Sequence, residues 1–140
     1  MPRGRPKVST HEHRGSPRAG KYNAKGRYIG DQWFASEAEA TRYEQLLILQ
    51  SSDVIETLEL QPTYPVSIKG HHITNYRADF RYSVLDERGR PCRVIVEDVK
   101  GMVTDVYALK KKMVEAQYDF KINEIPASKI AQWYNRVPST

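Results

Sequence analysis

The sequence predicts an α/β fold, a mixed sheet flanked by helices, preceded by a disordered basic tail. Three observations lead there. Runs rich in β-branched and aromatic residues, several with period-two alternation, recur across residues 57–99. Two stretches of helical periodicity, 37–51 and 102–120, bracket these runs. The composition also shifts near residue 26, from Gly, Pro, Ser, His and Arg to an ordinary apolar and polar mixture. The boundaries expected are a tail over 1–26 and one folded domain over 27–140.

The tail has almost no apolar residues and cannot bury enough surface to offset its ordering entropy, so it is expected to be disordered when free. KGRYIGDQWFAS then reads as a short hairpin, with Tyr28, Ile29, Trp33 and Phe34 around Gly30-Asp31. Ser36 is a good N-cap, Glu37 and Glu39 favour the first turn, and Ser36 to Glu39 fits a capping box. The helix should run from Glu37 to about Ser51, with Ala40, Tyr43, Leu46, Leu47 and Gln50 as its inward stripe. TLELQPTYPVSI reads as one strand interrupted by Pro62 and Pro65, hence an edge or bulged strand. HHITNYRADFRYSVL reads as one long alternating strand, DERGRP as a turn and CRVIVEDVK as the central strand. MVTDVYALKKKMVEAQYDF reads as a helix with Val106, Leu109, Met113 and Val114 inward. FKINEI is a short strand, and PASKIAQWYNRV a closing helix opened by Pro126 and Ser128.

The chain's net charge of +5 is uneven. Residues 1–27 hold eight Lys/Arg against one acid, while the remainder holds fourteen against sixteen. A basic arm on a mildly acidic body points to a polyanion, nucleic acid first, or to a merely solvated terminus. No apolar run approaches the roughly 20 residues of a membrane span, and no signal-peptide core is present, so no membrane association and a cytoplasmic location are expected. One cysteine, Cys92, excludes an internal disulfide framework and argues against a clustered Cys zinc site.

The chemistry gathers in VIVEDVKG, residues 94–101. An apolar strand ends in Glu97, Asp98 and Lys100, and buried charges are costly unless paired or metal-bound. By strand parity Asp98 and Lys100 share one face, and Glu97 should face the other way into a salt bridge or a supporting role. Pairing Val84 or Leu85 near Arg93 brings Asp79 close to Asp98. Alone, Asp-x-Lys reads as a strand-end ion pair; the apolar strand, the second Asp and the acidic helix start turn the reading toward a site. Two carboxylates with open positions suit Mg²⁺, which keeps waters and takes phosphate oxygens, with Mn²⁺ as a substitute. A lysine beside them can orient or deprotonate water, or offset charge on a phosphate. Gln61 can bond to this site or to backbone, and His71 and His72 read as exposed turn residues. Lys110, Lys111 and Lys112 cannot all face one way; if DNA crosses this edge, at least one meets phosphate, with Tyr107 packed beside them.

Asp79 followed by Asp98-Val99-Lys100 resembles the PD-(D/E)xK nuclease superfamily, with A-D in place of P-D. FASEAEATRYEQL, LELQPTYPV, YRADFRY and VEDVKGMVTDVYALKKKM extend the likeness over about residues 21–125. Together they resemble a phage-encoded nuclease family once catalogued as a domain of unknown function and related to Holliday-junction resolvases. The resemblance implies a restriction-endonuclease-like core and Mg²⁺-dependent cleavage of DNA, in particular branched DNA, in the bacterial host cytoplasm. It implies Asp79 and Asp98 as metal ligands and Lys100 as the catalytic lysine. Glu39 would be the helix acid beside the metal, a role that competes with its place in the capping box. Symmetric cutting of a junction needs two active sites, hence a homodimer by analogy; the last helix, with Ile130, Trp133 and Tyr134, serves as interface or as core.

PRGRPK, residues 2–7, resembles an AT-hook. Arg3 and Arg5 would enter the narrow minor groove of A·T-rich DNA, with Gly4 on its floor and Lys7 beyond. The competing reading is an unspecific phosphate-binding arm. The alternative to a nuclease is a DNA-binding module on the same fold without turnover; RNA as substrate is a third reading.

Overall fold

The structure is a computed structural model that describes residues 25–139. Arg3, Arg5, Lys7 and the tail expected over 1–26 therefore lie outside the described residues, apart from Lys25 and Gly26.

The chain forms β1 (Arg27–Ile29), β2 (Gln32–Phe34), α1 (Glu37–Ser51), β3 (Ile55–Leu60), β4 (Thr63–Ile68), β5 (His71–Arg77), β6 (Phe80–Leu85), β7 (Pro91–Lys100), α2 (Asp105–Tyr118), β8 (Ile122–Pro126) and a 3-10 segment (Ala127–Trp133). The main sheet has the order β3-β6-β7-β8. Its first three strands are antiparallel and β8 runs parallel to β7, so the sheet is mixed and flanked by helices, as expected. A parallel pair needs a crossover, which α2 supplies.

Two cores lie on opposite faces of this sheet. On one, Ala40, Leu46 and Leu49 of α1 pack on Ile55, Phe80, Tyr82, Ile95, Val99 and Ile125. On the other, Val66 and Tyr76 of the β4–β5 hairpin join Val114 of α2 over Ala78, Val96 and Ile122. Because β7 lies between β6 and β8 and lines both cores, it is apolar on both sides.

The capping signals at α1 are realised: Ser36 is the N-cap and its hydroxyl accepts from the Glu39 amide at 3.1 Å. The hairpin around Gly30-Asp31 forms as expected, Gly30 taking a φ of +59°. Four expectations are corrected. The TLELQPTYPVSI run is two strands in two different sheets, because Gln61, at φ +51°, and Pro62 turn the chain out of the main sheet. The HHITNYRADFRYSVL run likewise breaks at Ala78-Asp79, where the chain returns from the hairpin. Val106 and Leu109 point outward, 65% and 59% exposed, because α2 sits on the sheet through Val114 and the half-buried Tyr107 and Met113. The closing helix is only a 3-10 segment kinked at Lys129, with Pro126 ending β8. Its Ile130 and Trp133 pack on the α1 core, while Tyr134 stays exposed.

Two further features bear on stability. The edge strand β3 carries a bulge between Glu56 and Glu59, and Thr57 within it has a φ of +56°, rarely taken by a β-branched residue. No helix among the described residues is long and apolar enough to cross a membrane.

Candidate active site

The site forms where β7 outruns β6. Their pairing ends at Phe80↔Glu97, so Asp98, Val99 and Lys100 have no β6 partner on that side, while β8 pairs with them on the other through Glu124, Ile125 and Pro126. Asp79 fills the gap. Its Oδ2 accepts the Val99 amide at 2.7 Å, a side chain taking the place of a ladder carbonyl. Its own amide donates to Asp98 Oδ1 at 2.9 Å. The turn behind it is braced by the Gln61 amide on the Asp79 carbonyl at 2.9 Å and the Ala78 amide on the Pro62 carbonyl at 3.1 Å. Gln61 thus acts through its backbone, and its side chain is solvent-facing.

Parity sorts the acids as the sequence implies. Glu97 points to the α1 face, where it is fully buried and held by Arg42 at 2.6 and 3.1 Å, with the Tyr82 hydroxyl donating at 2.7 Å. Arg42 in turn donates to Gln45 Oε1 and to the carbonyls of Trp133 and Arg136, so each end of this buried pair has several partners. Asp98 points to the α2 face and is 1% exposed. Its Oδ1 is satisfied, but Oδ2 is buried with no hydrogen-bond partner. The nearest cation, Lys100 Nζ, stands 3.9 Å from Oδ2, beyond hydrogen-bond reach. Lys100 itself lies 3.9 Å from the centroid of the Tyr107 ring, a cation–π contact that fixes its direction.

A buried carboxylate oxygen left unpaired is costly, and the electrostatics reflect it. Burial raises the Asp98 carboxyl from 3.8 to about 6, against the opposing pull of Lys100 and the Asp79 amide. Asp79 is likewise raised to about 6, by burial first and by the Glu39 charge second, against the Val99 amide. Burial also raises Glu39, with Asp98 adding to the rise, while Ser36, the Ala35 backbone and Lys100 pull it down. Glu39 therefore sits within electrostatic range of Asp79, Asp98 and Lys100 while still engaging the start of its own helix.

These groups fit a hard divalent cation. Among the described residues no cluster of three or more His, Cys, Asp or Glu is gathered as a cage, so a cation here would rest on the Asp79 and Asp98 carboxylates with water. One or two carboxylates and several waters are the usual protein share of a Mg²⁺ shell, and Asp98 Oδ2 is an acceptor still lacking a hydrogen-bond partner.

Asp79, Asp98 and Lys100 are thus brought together, while Glu39 is near enough for its charge to be felt but forms no three-acid cluster with them. Lys111 is paired: its Nζ meets Glu124 at 2.7 Å, an oxygen that also accepts from Tyr107 at 3.1 Å, and the charges of both Lys111 and Glu124 are felt at Asp98. Lys110 lines a cleft whose wall includes Lys100. Sequence reasoning missed Arg42 and Arg77. Arg42 had a signal, since a buried acid such as Glu97 demands a cation and Arg42 shares a face of α1 with Leu46 and Leu49. Arg77 lies next to the strand break and carried none.

The family model described as "Protein of unknown function (DUF1064)" matches residues 19–132. No curated protein and no solved structure matches the chain.

Proposed function

The chain belongs to this family of unknown function, and we propose that it is a Mg²⁺-dependent endodeoxyribonuclease that hydrolyses phosphodiester bonds in branched DNA, as its likeness to Holliday-junction resolvases of the PD-(D/E)xK superfamily implies. The observation that carries this reading is the buried, unpartnered Asp98 Oδ2 beside Asp79, with Lys100 at 3.9 Å on the same strand end. A structural ion pair would have satisfied that oxygen, as Arg42 satisfies Glu97 on the other face.

In this reading Asp79 and Asp98 hold the cation, their spacing set by the Asp79 amide on Asp98 Oδ1 and by the Val99 amide on Asp79 Oδ2, across the break in the sheet. When bound, Mg²⁺ would polarise the scissile phosphate and acidify a water, and Mn²⁺ could replace it. Lys100, steered by the Tyr107 ring, orients the attacking water and offsets the charge that builds on the phosphate oxygens. Water adds to phosphorus, the bond to the leaving oxygen breaks, and the departing oxygen takes a proton. Glu39 adds negative charge on the α1 side, which favours a cation between the carboxylates. Cutting both strands of a branch calls for two such sites, hence a homodimer.

The test is a labelled four-way junction and a linear duplex, with Mg²⁺ or EDTA, for wild type and Asp98→Ala. Wild type with Mg²⁺ is expected to cut the junction in preference, and Asp98→Ala to lose on the order of 10²-fold or more in rate while still binding DNA. Binding without cleavage in either metal would replace this reading with a DNA-binding module.

A further inference from the structure

We propose that the cleft between β5 and the start of α2 is a second phosphate subsite, in which Arg77 and Lys110 hold the phosphodiester next to the scissile one on the same DNA strand. This rests on the nuclease reading and adds a path for the substrate.

The cleft, about 320 Å³, is lined by Asn75, Arg77, Lys100, Thr104, Tyr107 and Lys110 among others, and no acidic side chain lines it. Three cationic residues from three elements, β5, β7 and α2, thus line one cleft, and of these only Lys100 has an acid within 4 Å, Asp98 Oδ2 at 3.9 Å. Two neighbouring cations, by contrast, are matched: Lys111 by Glu124 at 2.7 Å, and Arg42 by Glu97 at 2.6 Å. Arg77 has no side-chain hydrogen bond or ion pair among the described residues, and Lys110 Nζ meets only the Asn75 carbonyl, at 3.4 Å. Like charges gathered in this way repel one another until an anion joins them. Neutral donors complete the lining. The Thr104 oxygen accepts the Tyr107 amide as N-cap of α2, which leaves its hydroxyl proton to give, and the Asn75 amide nitrogen is likewise a donor.

Position identifies which anion. Lys100 is at once a wall of this cleft and the neighbour of Asp98 Oδ2 at 3.9 Å. An anion in the cleft and one at the carboxylates are therefore separated by a single side chain, which suits adjacent phosphates of one strand. Arg77 also immediately precedes the Ala78-Asp79 link, so a strand held by its guanidinium is held in register with Asp79.

The experiment uses the full chain with Mg²⁺ and a cleavable substrate carrying one neutral methylphosphonate, moved through the phosphates flanking the cut. Wild type, Arg77→Ala, Lys110→Ala and Lys112→Ala are compared; Lys112 is exposed and does not line the cleft. One flanking position is expected to lower wild-type kcat/KM by about tenfold when neutralised, the scale of a lost charge-assisted contact. Arg77→Ala and Lys110→Ala should lose a similar factor on unmodified DNA, chiefly through KM, and lose nothing more on the substrate neutralised at that position. Lys112→Ala should keep the full methylphosphonate penalty. If the two losses multiply at every position, or if Arg77→Ala and Lys110→Ala cut unmodified DNA like wild type, the subsite is wrong and the nuclease reading stands. If wild type cuts no DNA with Mg²⁺ or Mn²⁺, both fall together. Arg77 is exposed, so melting curves of its variant should match wild type.

Discussion

Asp98 shows how a single residue can set activity against stability. Its carboxyl is raised to about 6 from 3.8, so the folded protein binds that proton more tightly than the unfolded chain does. The corresponding stability is fully present below about pH 4 and is lost as pH rises through 6, a difference on the order of 2–3 kcal/mol at neutrality. Asp98→Asn should therefore leave the metal-free protein no more stable than wild type at pH 4.5 and progressively more stable toward pH 7.5. The carboxamide oxygen introduced by this substitution still accepts from the Asp79 amide. Thermal melts of both proteins across that range check it, and a pH-independent difference would show that the carboxyl is not raised. Mg²⁺ should recover part of the loss for wild type at pH 7.5 and none for Asp98→Asn, read in the same melts. Asp98 and Lys100 were legible in the sequence because strand parity is fixed by the backbone. The partner of Glu97 was not, since which cation reaches it depends on how α1 lies across the sheet.

Among the elements, α1 and β3 each carry a testable feature. Arg42 of α1 and Glu97 of β7 are both wholly buried, so Arg42→Met would leave a buried carboxylate uncompensated, at a cost of about 3–5 kcal/mol by urea unfolding. The double variant Arg42→Met/Glu97→Leu should regain more than half of that loss; equal losses for the single and double variants would mean that the remaining partners of the pair matter more than its charges. In β3, Thr57→Gly should relieve a left-handed backbone and stabilise by about 0.5–1 kcal/mol, after the entropic cost of glycine, as measured by the same unfolding. The α1 boundaries, the first hairpin and the place of β7 followed from caps, turn residues and an unbroken apolar run. The two strand breaks did not, because period-two alternation continues through Gln61-Pro62 and Ala78-Asp79 even as the chain changes sheets. The outward turn of Val106 and Leu109 was missed for a related reason: apolar spacing identifies a stripe but not which part of it meets the sheet.

For the whole molecule, the sequence separates a basic arm from a mildly acidic body, and the two should contribute to DNA binding in different ways. Removing residues 2–24 should weaken binding and flatten its dependence on salt, measured by titration at several salt concentrations, because fewer phosphates are then neutralised. If the PRGRPK stretch reads the minor groove, the loss should be larger on A·T-rich than on G·C-rich duplex. The body has a different character, since β7 is the wall shared by its two cores. That arrangement bears on how the protein comes off the ribosome. Asp79, Asp98 and Lys100 are all synthesised before β8, yet β7 lacks its parallel neighbour until residues 122–126 emerge, and Arg42 lacks two of its acceptors until Trp133 and Arg136 do. A nascent chain thus carries every candidate catalytic side chain for some time before β8, Trp133 and Arg136 supply the contacts that frame β7 and Arg42.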